Sequence, residues 1–377
     1  MRMWDRLLEK GIHVFMKRQA QQRAPLPFDS SAIRGINRIL LMTTTAIGDT
    51  LFSTPAIRAV KETYPNKEVH VLCHVRNHLL LKENPYIDHL LLYHGKRKRM
   101  VALLRELREQ RYDLVIILHS NDPEALPLAW ATKAPYIIGN ESSRFAYLLS
   151  NKVFCADENR HAIERRLDLV RVIGADTDNK RMDLFLPSQW KEKADRILSA
   201  KWKSSFQPLI GLHPVGSGSY KWWPTEYFAS LAQELVKQYQ ARFVIFSSRK
   251  ELEVSRSIAE NLGDDVLLAD GEYDLLEIAA IMKKCKLFVA NDSGPLHMAL
   301  ALGIPTLALI GADSPLRIGP YQLPNSTYLY KKEGVCQEFR CLNQDCRDNR
   351  CLKVISPEEV LSLIKNRFTK ELLKGLA

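Results

Sequence analysis

The chain runs one pattern twice: short apolar strands alternate with amphipathic helices, break off at a proline-bounded stretch, and start again. In the first run, RILLMTT from Arg38 suits a buried strand, and TLFSTPAIRAVKETYP after it has helical spacing. EVHVLCH, HLLLYH and DLVIILHS (Asp113 to Ser120) read as further strands. In the second run PLIGLHP, ARFVIFSS, VLLAD, LFVAND and PTLALIG are strands, and TEYFASLAQELVKQY, DLLEIAAIMKKC, PLHMALALG and SPEEVLSLIKNRF are helices. Ser356 and Glu359 fit a capping box at the start of the last of these. Strands that are apolar along their length and joined by helices imply a parallel sheet covered on both faces. The expected fold is therefore α/β, with two Rossmann-like doubly wound domains facing a central cleft at the carboxyl ends of their strands.

The expected division is an extension over 1–37, a first domain over 38–185 and a second over 205–377. Asp183 to Pro208 forms the connection, with Gln189 to Ala200 helical. In the extension, Trp4, Leu7, Leu8, Ile12, Phe15 and Met16 recur at helical spacing among basic residues. Such a helix packs on its own protein or lies on a membrane surface.

A chain of 377 residues is too long for one ordinary core, and 46% hydrophobic with 26% charged residues excludes a disordered chain. No stretch reaches the roughly 18 uninterrupted apolar residues of a spanning helix. The first residues, MRMWDRLLEKGIHVFMKRQ, offer no continuous apolar region of a signal peptide, so the expected location is the cytoplasm. The net charge of +11 suits either plain solubility or an anionic partner: nucleic acid, a membrane surface or a phosphorylated substrate. Basic residues cluster at Lys96–Arg99 and Lys201–Lys203, but no zinc-finger spacing or RNA-binding signature accompanies them, which argues against nucleic acid.

Three segments carry residues fit for chemistry. In TTTAIGDTLFSTPAI a strand ends near Thr43 and a helix begins near Thr50; Gly48 permits a tight turn and Asp49 stands at the helix start. Asp49 there is either a plain N-cap or a base placed to take a proton from an acceptor hydroxyl. In GLHPVGSGSYKWWPTEYF, the loop Gly216, Ser217, Gly218 lets backbone N–H groups approach a phosphate, and Lys221 follows. Lys221 is either a surface lysine or a counter-charge for a leaving diphosphate. In FVANDSGPLHMALALGIPT a strand runs into Asn291 and Asp292, and Ser293, Gly294 and Pro295 open a helix whose N-terminus suits an anion. His297 lies in its first turn.

Together these segments resemble the heptosyltransferases of lipopolysaccharide inner-core assembly, glycosyltransferase family nine. AIGD, GSGSYKWWP and NDSGPLHMALALGIPT stand in the family's order, and the likeness runs from about Arg38 to Phe368. The resemblance implies a GT-B fold, with an acceptor-binding first domain and a nucleotide-sugar-binding second domain. It implies an inverting, metal-independent transfer of heptose from ADP-heptose to a phosphorylated lipid A core acceptor, with no cofactor required. Asp49 would be the general base, and Lys221 would counter the charge developing on the diphosphate. Asp292 would lie near the heptose or its diphosphate, with Gly48, Gly216, Ser217, Gly218, Ser293, Gly294 and His297 binding the donor. The acceptor sits in the inner leaflet, which gives the +11 charge an anionic membrane surface to meet, and nucleic acid has no place. Two alternatives are a sugar-nucleotide epimerase of the same architecture and a family member using another nucleotide sugar.

Cys336, Cys341, Cys346 and Cys351 repeat at five-residue intervals, wider than the two-to-four of common zinc sites. They are either small, partly buried residues of a compact loop or a structural zinc or iron site, distant from catalysis.

Overall fold

The computed structural model describes residues 17, 26–95, 99–119, 122–143, 145–203, 207–336, 341, 346 and 348–374. The amphipathic helix expected from Trp4 to Met16 and most of the Lys96–Arg99 cluster lie outside the described residues. The chain divides into two compact units, residues 1–180 and 181–377.

The first unit holds β1 (Arg38–Thr43), β2 (Glu68–His74), β3 (His89–Tyr93), β4 (Leu114–Ile117), β5 (Tyr136–Asn140) and β6 (Asn151–Val153) in the order β3-β2-β1-β4-β5-β6. All pairings are parallel, with Leu40 opposite His70 on one side and opposite Val115 on the other. The second unit holds β7 (Leu209–His213), β8 (Arg242–Phe246), β9 (Val266–Ala269), β10 (Leu287–Asn291), β11 (Thr306–Ile310) and β12 (Ser326–Tyr330) in the order β12-β11-β10-β7-β8-β9. Numbered within its own unit, this sheet has the same 3-2-1-4-5-6 winding, again parallel throughout. In such a sheet the chain leaves the first and fourth strands in opposite directions, which opens a crevice at their carboxyl ends. The crevice therefore lies beyond β1 and β4 in one unit and beyond β7 and β10 in the other.

The central strands are buried on both faces, as their unbroken apolar runs require: Ile39, Leu40, Leu41 and Met42 are fully buried, as are Leu287, Phe288, Val289 and Ala290. The Pro357–Leu373 helix lays Val360, Ile364, Phe368 and Leu372, spaced by four, into the second unit's core with Trp223, Phe228 and Phe243. Each such side chain contributes about 1.5–3 kcal/mol by leaving water. Only half of the expected capping box forms here. The Ser356 hydroxyl accepts the Glu359 N–H at 3.3 Å, while the Glu359 carboxylate goes to Lys331 at 2.7 Å instead. A complete box forms at Asp274 and Glu277. The Glu277 carboxylate also meets Lys193, tying the Ser188–Lys201 helix into the second unit.

Three strands escape the sequence pattern: β5, β6 and β12. They are short edge or near-edge elements, and β5 carries Gly139, where a Cβ would come 2.9 Å from the Leu149 side chain. The expected strand from Asp113 to Ser120 is shorter, ending at Ile117, which releases His119 into the loop at the crevice.

Candidate active site

The first unit's crevice is built around Asp49. The Ile47–Thr63 helix begins three residues before the expected start, with Ala46 as N-cap and Asp49 as the third helical residue. This corrects the plain-cap reading, since Ala46 and not Asp49 occupies the N-cap position. Its Oδ1 accepts from Arg166 Nη2 at 2.6 Å and its Oδ2 from Thr45 Oγ1 at 2.9 Å. Gly48 is a buried helical residue without a positive φ, so the turn is made by Thr44 to Ala46 rather than by the glycine. Pro55 sits inside the helix without an N–H to donate, and the Thr54 hydroxyl takes up the Leu51 carbonyl at 2.7 Å.

The surrounding polar groups hold this loop in place. Buried Asn77, just after β2, donates through Nδ2 to the Thr45 carbonyl at 2.8 Å and to Thr50 Oγ1 at 2.9 Å. Beyond β4, His119 accepts the Thr44 backbone N–H on Nε2 at 3.0 Å. The Thr44 hydroxyl donates to Asp122. Burial pushes His119 down to about 4, with Arg166 adding to the effect and Asp49 and Asp122 opposing it, so the ring is neutral at pH 7. Arg166, His119 and Asn77 are absent from the sequence-derived site. Arg166 has a visible signal, because it falls on the apolar stripe of Ile163, Leu167 and Val170 in its helix.

The second unit's crevice gathers Lys221, Asp292 and His297. The Lys221 ammonium pairs with the Asp292 carboxylate, and His297 Nε2 lies 3.8 Å from the other Asp292 oxygen. Asp292 and His297 are each 5% exposed, so the surface-lysine reading of Lys221 gives way to one packed polar group. Burial pushes the Lys221 ammonium down, but the Asp292 carboxylate more than offsets this and the net shift is upward. Lys221 is thus a fixed cation at pH 7. The loop is tight: a Cβ at Gly216 would stand 3.3 Å from Lys221 Cβ and 3.4 Å from the Asp292 carbonyl oxygen. Gly218 follows it, and Ser217 is exposed at the loop's tip.

Fully buried Asn291 locks this loop to the strand end. Its Oδ1 accepts from the Trp223 N–H at 3.0 Å and its Nδ2 donates to the Pro214 carbonyl at 2.7 Å. Ser293 is the N-cap of the Gly294–Ala301 helix, but its hydroxyl donates to the Asn291 carbonyl at 3.1 Å and does not cap. The first-turn N–H groups and the positive end of the helix dipole are therefore left for an anion.

The four clustered cysteines form no disulfide with one another. Burial pushes the Cys341 and Cys351 thiols up and the neighbouring thiols push the same way, while the buried Lys332 ammonium opposes. Among the described residues no three potential ligands are arranged to hold a metal ion, so the thiols as they stand do not fit one. The cluster is also not remote from the second crevice. Asn349 Nδ2 donates to the Trp222 carbonyl at 2.7 Å, and Trp223 Nε1 to the Ile355 carbonyl at 2.8 Å, so this segment props the Lys221 loop.

The model of glycosyltransferase family 9 (heptosyltransferase) matches residues 100–346. The chain belongs to this family. It is 29% identical over 297 residues to lipopolysaccharide heptosyltransferase 2 of Salmonella typhimurium strain LT2, covering 74% of this chain and 84% of that protein. Among solved structures, a family 9 glycosyl transferase from Veillonella parvula matches with a TM-score of 0.77 and 25% identity, over 89% of this chain and 97% of that one. The ADP-heptose lipopolysaccharide heptosyltransferase II of E. coli matches in fold with a TM-score of 0.71 and 24% identity, over 90% and 100% of the two chains. The heptosyltransferase-family chain is a glycosyltransferase of the GT-B fold, and membership of a transfer family displaces the epimerase alternative. Among the described residues no helix is long and apolar enough to cross a membrane.

Proposed function

We propose that this glycosyltransferase moves a heptose from ADP-heptose to a hydroxyl of the lipopolysaccharide inner core, with inversion and without a catalytic metal. The observation that carries the reading is the polar group of Lys221, Asp292 and His297 at the start of the Gly294–Ala301 helix, beyond the adjacent ends of β7 and β10. A fixed cation beside free helix N–H groups suits a diphosphate, and it stabilises most strongly when the diphosphate leaves with its full charge. Gly216, Ser217, Gly218, Ser293 and Gly294 supply the close backbone, and Asp292 faces the sugar end. Asp49, with Gly48 beside it in the first turn, takes the proton of the attacking hydroxyl. In this reading residues 38–185 bind the acceptor and 205–377 the donor. The enzyme works in the cytoplasm on the inner membrane, its +11 charge meeting the anionic leaflet and the phosphorylated lipid A core.

The test is calorimetric binding of ADP, UDP, GDP and CMP to the purified chain, followed by ADP release from ADP-heptose with and without a truncated lipid A acceptor. ADP is expected to bind at least about tenfold more tightly than the others, a difference of about 1.4 kcal/mol, and its release is expected to need the acceptor. A preference for UDP or GDP would move the donor to another sugar, and release without an acceptor would overturn the transfer.

A structural zinc or iron ion at Cys336, Cys341, Cys346 and Cys351 belongs to the same reading, outside the chemistry. Four thiols within sixteen residues support it, and the thiols would have to draw together around the ion. Elemental analysis of the purified protein is expected to find about one equivalent of metal per chain, lost in Cys341→Ser. Metal-free protein with full activity and unchanged melting would overturn it.

A further inference from the structure

Arg166 is a costly residue to place where it stands. Its side chain is only 8% exposed, while its partner Asp49 is 26% exposed. The pair is therefore oriented, with the cation behind and the carboxylate presented toward the crevice. A buried pair kept only for stability does no better than apolar side chains of the same size, because desolvating two charges consumes most of their attraction. Here both terminal nitrogens of the guanidinium are held, while its buried Nε has no hydrogen-bond partner. Nη1 donates to its own helix carbonyl at Ala162 at 2.8 Å, Nη2 donates to Asp49 at 2.6 Å, and the plane lies over the Phe52 ring at 5.5 Å. Phe52 is in turn held edge-on by His161, the N-cap of the same helix. Arg166 thus holds Oδ1 of the Asp49 carboxylate and Thr45 holds Oδ2. An ionised carboxyl has about four lone-pair sites, more than these two donors occupy.

We propose that Arg166 is a positioning residue for the transfer: with Thr45 it clamps the Asp49 carboxylate in the one orientation that meets the acceptor hydroxyl. This rests on the reading of Asp49 as the general base. The clamp acts only through Asp49. Its loss lets the carboxylate turn about χ1 and χ2, and a misplacement of about 1 Å at such a site costs on the order of 10²-fold in rate.

The experiment is a double-mutant cycle on heptosyl transfer from ADP-heptose, using Arg166→Met, Arg166→Lys and Thr45→Val, each alone and together with Asp49→Asn. ADP binding by calorimetry and thermal melting are followed on the same preparations. Arg166→Met is expected to lower kcat by about 10²-fold with the KM for ADP-heptose and the affinity for ADP unchanged. Arg166→Lys should recover part of that loss, and Thr45→Val, at a half-buried loop position, should cost about tenfold. In the Asp49→Asn background none of the three should slow the enzyme further. If Arg166→Met does not fold, Thr45→Val and Arg166→Lys complete the same cycle. Losses that multiply with that of Asp49→Asn would overturn the clamp, as would full rates in the folded single variants. If Asp49→Asn itself keeps its rate, the general-base reading has failed instead.

Discussion

Asp49→Asn is expected to lower kcat by about 10²–10⁴-fold, the range a positioned general base contributes, and to leave ADP affinity unchanged. The asparagine keeps the volume and one acceptor oxygen for Arg166, so the clamp and the helix start survive while proton acceptance does not. Asp49→Ala should abolish transfer as well, but it confounds two effects. Removing the carboxylate leaves the Arg166 guanidinium buried without its charge partner, which costs about 3–5 kcal/mol of stability, visible as a lower melting temperature. Donor binding should not respond in either variant, since Lys221, Asp292, Ser293, Gly294 and His297 all belong to the other unit and the backbone of Gly48 is left unchanged. Initial rates at saturating donor and acceptor, with ADP calorimetry on the same protein, separate the two quantities. A folded Asp49→Asn enzyme that transfers at the parent rate would mean that the proton goes elsewhere. Neutral His119 would be a poor substitute, because its Nε2 is already engaged by the Thr44 N–H.

The sequence made the winding legible because both faces of the central strands are buried. A strand such as RILLMTT needs no alternation and stands out against amphipathic helices. The edge strands β6 and β12 lack that double burial, so their short runs look like loop. The same physics decided which site residues could be read. Asp49, Lys221, Asp292 and His297 sit in short motifs at strand ends, where the family likeness picks them out although local spacing leaves their roles open. Arg166 comes from a helix more than a hundred residues from Asp49, and although its place on the apolar stripe turns it inward, nothing local names Asp49 as its partner. His119 was hidden by an overlong strand, since the apolar run gives no sign of where pairing stops. Local spacing also left Lys221 undecided between surface and site, a choice that depends on Asp292 lying beside it, 71 residues away in the chain. The cysteine segment was placed far from the chemistry because linear distance says nothing of the Asn349 bond to the Trp222 carbonyl.

Lys221→Ala, in contrast to the base variant, is expected to damage binding and turnover together. A hydrogen bond to a charged group contributes about 1.5–3 kcal/mol, yet in the free protein this lysine already serves Asp292, so part of that gain is offset when a diphosphate arrives. The expected weakening of ADP binding is therefore near the lower bound, about tenfold. Turnover should fall further, by about 10²–10³-fold, because the diphosphate gains charge as the glycosidic bond breaks and the missing cation is felt most there. The alanine variant also leaves the Asp292 carboxylate, 7% exposed at its side chain, without its counter-charge and facing an anion. Some of the loss is thus repulsion by Asp292 rather than absence of Lys221. Lys221→Ala combined with Asp292→Asn should then bind ADP more tightly than Lys221→Ala alone, a non-additivity that calorimetry reads directly. Should the double variant bind more weakly than the single, Asp292 would itself be holding the nucleotide. Parent-like ADP affinity and turnover in Lys221→Ala would remove the diphosphate from this helix start altogether.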